Sequence, residues 1–411
     1  MSYRNALNIH DLERIAQKRL PRSVFGFIAG GVEDERTRIN NREVFERIRF
    51  KPRGLVDVSS RPQDVTIFGH RFDSPFGIAP MGIGGIACFE ADIAMARAAA
   101  RMNVPFVLSN MATVPLETVA RSCDSVKWMQ VYMPSDRERA ARFAKRAHDA
   151  GYCALVVTID VQVGSNRENN QRNGFSLPLR LGPRVALDGL MHPRWLGSVL
   201  GRTLASSGVP RLENSAMADR PSMLASGNLN MRSGGDRIDW AFMRWLRDQW
   251  RRPLLIKGVL HPEDAKAAVA CGLDGIVASN HGGRQLDGAV SPMEVLPQIV
   301  EAVEGRLVVV VDSGFRRGGD ILKAHALGAD LVLCGRAAMY GVAAGGEAGV
   351  LHALGILKSE VDRNLALMGA PGIATLSRDS VELFSAPLPT GQRPTPTQKD
   401  AGLRVVHASS M

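Results

Sequence analysis

Ser279-Asn280-His281-Gly282-Gly283-Arg284-Gln285-Leu286-Asp287-Gly288 follows the short apolar run Gly275-Ile276-Val277-Ala278. A run that short, closed by glycines, reads as a buried strand. A helix is expected to begin near Ser291, so the ten residues form a loop at the C-terminal end of that strand. Paired glycines permit a sharp turn or a close approach to something flat. His281 can accept a proton near neutral pH. Arg284 can hold a carboxylate through two parallel hydrogen bonds. A base beside a carboxylate clamp points to oxidation of an acid at its α-carbon. An isolated His-x-x-Arg is more often a solvated surface loop, so the weight lies in the whole string.

Outward from that loop, a rhythm of apolar strands and amphipathic helices starts near residue 75. The spacing predicts strands over Phe76–Pro80, Phe106–Ser109, Trp128–Tyr132, Ala154–Asp160, Leu254–Val259, Gly275–Ser279, Leu307–Asp312 and Leu331–Gly335. Eight such βα units imply an α/β fold, a (β/α)8 TIM barrel, with its active site at the C-terminal ends of the strands. Polar residues fall at those ends: Ser109, Gln130, Tyr132, Thr158, Asp160, Lys257, His281, Asp312 and Arg336. The phosphate side of such a barrel follows the last two strands. There Asp312-Ser313-Gly314-Phe315-Arg316-Arg317-Gly318-Gly319-Asp320 offers a glycine, cations and backbone N–H groups where a helix starts, and Cys334-Gly335-Arg336 repeats the pattern. No G-x-G-x-x-G follows a strand, so a nicotinamide cofactor is not indicated.

Residues 8–50 read as a helical N-terminal region, with Pro21 able to open a second helix, and Thr66–Phe72 as a hairpin turning at Gly69. The rhythm breaks once, after strand four. Residues 162–236 are too long for an ordinary βα loop. Its first part, Gly164–Pro178, is expected to cover the active site. Its later part, 181–233, carries Leu187-Asp188-Gly189-Leu190-Met191-His192-Pro193-Arg194-Trp195-Leu196 among interspersed arginines, a composition that suits a lipid interface, a long loop packed on the barrel or a subunit contact. Residues 1–385 are expected to form one domain. The proline-rich stretch 386–411 is expected to be a disordered tail.

The chain has 411 residues, 45% of them hydrophobic, enough for one large barrel. Five scattered cysteines without a C-x-x-C pair argue against a disulfide framework or a zinc site, so no metal is expected, and they fit a reducing compartment. Met1–His10 lacks the apolar core of a signal peptide, so none is expected, and a cytoplasmic location is the expectation. A net charge of +10 favours anionic substrates or surfaces. No nucleic-acid motif accompanies it.

From about residue 8 to 385, and most specifically in Ser279–Gly288, the sequence resembles the FMN-dependent 2-hydroxy acid oxidases and dehydrogenases. The resemblance implies FMN as cofactor, a small 2-hydroxy acid as substrate and a homotetramer. It gives His281 the role of base, with Asp160 stabilising its protonated form. Arg284 and Arg167 would hold the substrate carboxylate, and Tyr132 would bond to the substrate. Lys257 would offset negative charge on the reduced flavin. Ala79, Pro80, Met81, Ser109, Gln130, Thr158 and Ser279 match cofactor-side positions. So do Asp312, Ser313, Gly314, Phe315, Arg316, Gly335 and Arg336.

Two positions bear on the substrate. Many relatives have a tyrosine where Phe27 stands, so one hydrogen bond to the carboxylate, worth ~1.5–3 kcal/mol, is missing. Many have alanine where Gly82 stands, so glycine is expected to make room for a ring. Both lean toward an aromatic or bulky acid such as (S)-mandelate, although L-lactate remains open, as does oxygen instead of a membrane quinone as electron acceptor. Within this resemblance, the region 181–233 implies attachment to the cytoplasmic face of the inner membrane.

Overall fold

A computed structural model describes residues 2–178, 182–216, 221–223 and 235–385. The expected tail, 386–411, and parts of the segment 181–233 lie outside them. Eight parallel strands close into a barrel. They are β1 (Phe76–Ile78), β2 (Phe106–Ser109), β3 (Lys127–Val131), β4 (Ala154–Thr158), β5 (Leu254–Val259), β6 (Gly275–Ala278), β7 (Val308–Val311) and β8 (Leu331–Cys334). Closure is made by β8 against β1, with Leu333 opposite Gly77 and Cys334 opposite Ile78.

Alternate side chains of the strands fill the interior. Val107, Trp128, Val156, Leu255, Val277 and Val310 pack there as one buried cluster. The hairpin Val65–Ile67/His70–Phe72 adds Ile67 and Phe72 to that cluster and sets Phe68 5.6 Å from Trp128, ring to ring. Its turn residues Phe68 and Gly69 both have positive φ, +50° and +78°, the geometry of a two-residue hairpin turn whose twist matches the strands. The barrel floor is thereby closed by aromatic side chains, and the opposite end is free to bind.

The outer helices bury their apolar faces in a second, larger core. Helices Ile9–Arg19 and Arg22–Ala29 pack at the N-terminus, and Asn8 caps the first by accepting from the Asp11 N–H. The last helix, Arg336–Met368, breaks at Gly345 and Gly346. A strand pair, Ile48–Phe50 with Val381–Leu383, clips the end of the fold to its N-terminal region.

Six predicted strands run one or two residues too far at their C-terminal ends. Pro80, Tyr132, Asp160, Ser279, Asp312 and Gly335 lie just past the last ladder residue. Those residues leave the ladder to turn into the loops where the chemistry sits. After β4 the chain makes short helices, Glu168–Arg172, Pro183–Leu190 and Arg202–Ser207, before Asp239 caps the helix Trp240–Gln249 that belongs to that unit.

Candidate active site

One cavity of about 1320 Å³, counted out to its mouth, opens at the C-terminal end of the barrel. His281 stands in its wall with φ +58°, a left-handed conformation. Its Nδ1 lies 3.0 Å from Asp160 Oδ1 and its Nε2 3.2 Å from the Tyr132 hydroxyl. Burial pushes the imidazole below its ordinary pKa, against the pull of Asp160. Burial alone would raise Asp160, but the charges of His281 and Lys257 hold it below the usual carboxylate range. Asp160 therefore stays ionised behind the ring and fixes the proton on Nδ1, which leaves Nε2 facing the cavity to accept one.

Arg284 and Arg167 line the same wall. Nη1 of Arg284 donates to the carbonyls of Phe27 (2.7 Å) and Gly30 (2.9 Å). Arg167 donates to Ser165 Oγ at 3.0 Å and to Gln285 Oε1 at 2.9 Å. Neither guanidinium pairs with a carboxylate among the described residues, and burial lowers both pKa values, that of Arg284 the more strongly. Arg284 sits 5.0 Å from the Phe27 ring centre, and Phe27 stacks on Phe175 at 4.3 Å. The aromatic layer fixes one edge of the clamp without adding a donor.

On the other side of the cavity, a row of polar groups crosses three strands. Ser109 Oγ donates to Gln130 Oε1 (2.9 Å), and Gln130 Nε2 donates to Thr158 Oγ1 (2.8 Å). Lys257 donates to Ser279 Oγ at 2.8 Å and lies 3.3 Å from Asp312 Oδ2. Burial would lower the lysine, yet Asp312 and Asp160 raise it, so it keeps its charge. Ser109, Ser279 and Asp160 stand behind the lining, bonded to Gln130, Lys257 and His281. Ala79, Pro80, Met81, Gly82, Ser313, Gly314, Phe315, Arg316, Gly335 and Arg336 all reach the cavity wall.

The phosphate side needs a correction. At the start of helix Gly318–Ala326 three amides are already held by carboxylates: Asp320 Oδ2 accepts from the Arg316 and Arg317 N–H groups at 2.9 and 3.0 Å, and Glu360 takes the Gly318 N–H at 2.7 Å. Carboxylates already cap that terminus. The start of helix Arg336–Met368 has no acidic residue in its first turn, and Gly335 and Arg336 both face the cavity. Arg336 donates to the carbonyls of Ile28, Gly282 and Gly30, so it contributes charge while its fork holds backbone. Burial pushes it down to about 10.

Gly82 is closer packed than its sequence reading implies. A Cβ there would lie 2.8 Å from Met111 Cβ, and Met111 is itself a cavity residue. The room that glycine makes is thus shared with Met111. Ile83, Met111, Val161 and Leu177 form the apolar wall and carry no chemical signature that sequence reading could catch. The one available signal is position, since Val161 follows Asp160 and Met111 lies two residues beyond Ser109.

The lining holds five Lys or Arg side chains and one carboxylate, Asp312. So unbalanced a buried set is incomplete without anions. A phosphorylated flat cofactor and a carboxylate substrate supply them, and the amide and hydroxyl row suits a heterocycle with several donors and acceptors. The residues present fit FMN. The family model for FMN-dependent dehydrogenases matches residues 16–383. The chain belongs to the FMN-dependent dehydrogenase family.

Other comparisons agree with that membership. (S)-Mandelate dehydrogenase of Pseudomonas putida is 44% identical over 378 residues, which cover 92% of this chain and 94% of that protein. L-Lactate dehydrogenase of Pectobacterium atrosepticum is 37% identical over 379 residues, 90% of this chain and 95% of its own. A crystal structure of the monotopic membrane protein (S)-mandelate dehydrogenase matches with a TM-score of 0.86 at 43% identity, over 92% of this chain and 100% of that one. This FMN-dependent dehydrogenase therefore shares its barrel with an enzyme found at membranes.

Proposed function

We propose that this enzyme oxidises (S)-2-hydroxy acids with a bulky, aromatic side chain, of the (S)-mandelate kind, to 2-oxo acids. The observation that carries the reading is the joint placement of His281 Nε2, the Tyr132 hydroxyl and two guanidinium groups lacking carboxylate partners, beside an apolar wall. Arg284 and Arg167 bind the substrate carboxylate by charge-assisted hydrogen bonds. That fixes the carbinol near Tyr132 and His281, with the side chain toward Met111, Val161 and Leu177. The oxidation removes two electrons and two protons from the carbinol. His281 takes one proton at Nε2, and Asp160 stabilises the imidazolium that results. FMN, when bound, would accept the electron pair together with the second proton. Lys257 stands where its charge offsets negative charge developing there.

The electrons then pass to a membrane quinone. The segment 181–233 holds the enzyme to the cytoplasmic face of the inner membrane, residues 164–178 act as the lid, and four copies assemble. The membrane reading is supported by the exposed apolar face described below and by the monotopic relative.

The test is an anaerobic mix of the FMN-loaded enzyme with (S)-mandelate and, separately, L-lactate, followed by visible flavin absorbance. Fast bleaching by mandelate and slow bleaching by lactate is the expected result. The reverse order retains the chemistry and overturns the aromatic pocket. Rapid peroxide formation in air would replace the quinone by oxygen.

A further inference from the structure

The helix Arg36–Glu43 lines no part of the active-site cavity, yet its backbone touches two of the loops that do. A Cβ on Gly283, in the catalytic loop, would lie 2.5 Å from the backbone nitrogen of Arg38. A Cβ on Gly314, in the phosphate-side loop, would lie 2.1 Å from the carbonyl oxygen of Asn41. Both glycines have positive φ, +71° and +98°. Backbone meets backbone at each point, so neither glycine can gain a side chain without displacing the helix.

Between the two contacts lies a buried amide pair. Asn41 and Asn280 are 1% and 4% exposed. Asn41 Nδ2 donates to Asn280 Oδ1 at 2.8 Å, and Asn280 Nδ2 donates back to Asn41 Oδ1 at 2.7 Å. Asn280 is otherwise saturated within its own loop, accepting from the Gly283 N–H at 3.1 Å and donating to the Val290 carbonyl at 3.1 Å. It directly precedes His281, whose left-handed backbone persists only where the surroundings enforce it.

The rest of the helix is tied the same way. Its first N–H groups, on Arg36 and Thr37, donate to the Asp287 carboxylate of the catalytic loop at 3.2 and 2.8 Å. Arg42 Nη1 donates to the Gly314 carbonyl at 2.6 Å and lies 2.5 Å from Asp320 Oδ2. One short helix is therefore bonded to the loop that carries the base and to the loop on the cofactor-phosphate side.

We infer that helix Arg36–Glu43 is a splint between catalysis and cofactor binding, and that Asn41 is its positioning residue. It sets His281 relative to the 312–316 loop, so base and cofactor cannot drift apart independently. The inference rests on the proposed role of His281 as base. Asn41 touches neither substrate nor cofactor and acts through Asn280. A misplacement of about 1 Å at a reacting group can cost ~10²-fold in rate, so a loosened splint is visible in the chemistry.

The experiment compares FMN-loaded wild type, Asn41→Ala and Phe143→Leu, a core change in the outer layer. Three quantities are read: the limiting rate of anaerobic flavin reduction at saturating acid, the rate of FMN release by fluorescence, and the melting temperature. Asn41→Ala is expected to lose about tenfold or more in limiting rate, with a small change in KM, and to release FMN faster. Phe143→Leu is expected to lose melting temperature while its bound flavin is reduced at the wild-type rate. If Asn41→Ala melts lower but is reduced within about twofold of wild type, it is merely structural and the inference fails. Should that variant not fold, Asn41→Asp keeps the acceptor for Asn280 Nδ2 and loses the donor to Oδ1. Its limiting rate must fall as well, and an unchanged rate overturns the splint. If no 2-hydroxy acid reduces the wild type, the functional reading fails on its own. FMN release then decides the splint, and release from Asn41→Ala no faster than from wild type overturns it.

Discussion

At the residue scale, His281 combines three demands that pull against each other. It is largely buried, it lies beside Lys257 and Arg167, and in its proposed role it must still accept a proton. Asp160 resolves the conflict, since an ionised carboxylate 3.0 Å from Nδ1 favours the imidazolium that burial opposes. Replacement of His281 should remove about 10²–10⁴-fold of the rate of flavin reduction. His281→Asn is the better probe, because asparagine tolerates the φ of +58° found there and so separates loss of the base from backbone strain. The variant should retain its yellow colour and fail to bleach with substrate. Bleaching at the wild-type rate would remove His281 from the mechanism. The pH dependence follows from the direction of the shift. In its proposed role His281 must be neutral to act, and its pKa is held below its ordinary value, so kcat/KM should fall only on the acid side of ~6.5. Asp160→Asn deletes the largest influence that raises the imidazole. Its acid limb should move to still lower pH and its plateau should drop, because the imidazolium loses its partner. A limb that moves to higher pH would show that Asp160 does not act through His281.

At the scale of elements, the insertion after β4 is fastened to the barrel at identifiable points. Trp195 Nε1 donates to the Ile86 carbonyl at 2.7 Å, and Asp188 Oδ2 accepts from the Arg22 N–H at 2.7 Å. Trp195, whose sequence context allows a place at a lipid interface or against the barrel, is half-buried and turned toward the barrel. Trp195→Phe keeps much of the packing and loses one hydrogen bond, worth ~1 kcal/mol. Limited proteolysis should then cut within 183–207 faster than in wild type, while global melting moves by only a few degrees. Equal cutting rates would mean that the anchor lies elsewhere. The contrast with the barrel strands is instructive. β2, β5 and the other strands were legible because a parallel strand covered on both faces is a continuous apolar run. Their C-terminal limits were less so, since Tyr132, Asp160 and Asp312 continue the polar end of a strand into its loop without a change of composition. The phosphate-side helix misled for a different reason. Asp320 reads as one more polar residue near a glycine-rich turn, and only folding shows that it caps the amides. The Asn41–Asn280 pair was invisible, because its partners stand 239 positions apart.

At the scale of the molecule, a net charge of +10 and an apolar face on the insertion are the two features that would serve the proposed attachment to a membrane. Leu187, Leu190 and Met191 are 60%, 64% and 65% exposed, and their i, i+3, i+4 spacing puts them on one side of the turn that ends helix Pro183–Leu190. Leu204 is also exposed. Among the described residues no helix is long and apolar enough to cross a bilayer. The two contributions separate experimentally. Attraction of the basic surface to anionic lipid weakens as salt shortens the range of the field, whereas burial of leucine side chains does not. Wild type should float with anionic vesicles at low salt and remain partly bound at high salt. Leu187→Ser, Leu190→Ser and Met191→Ser combined should remove the salt-resistant fraction, because each buried side chain contributes roughly 1.5–3 kcal/mol when fully covered. Flavin reduction by substrate should be unchanged, since none of the three lines the cavity. If the triple variant floats like wild type but changes its oligomeric state, the same face is a contact between copies. The basic surface alone would then account for attachment to lipid.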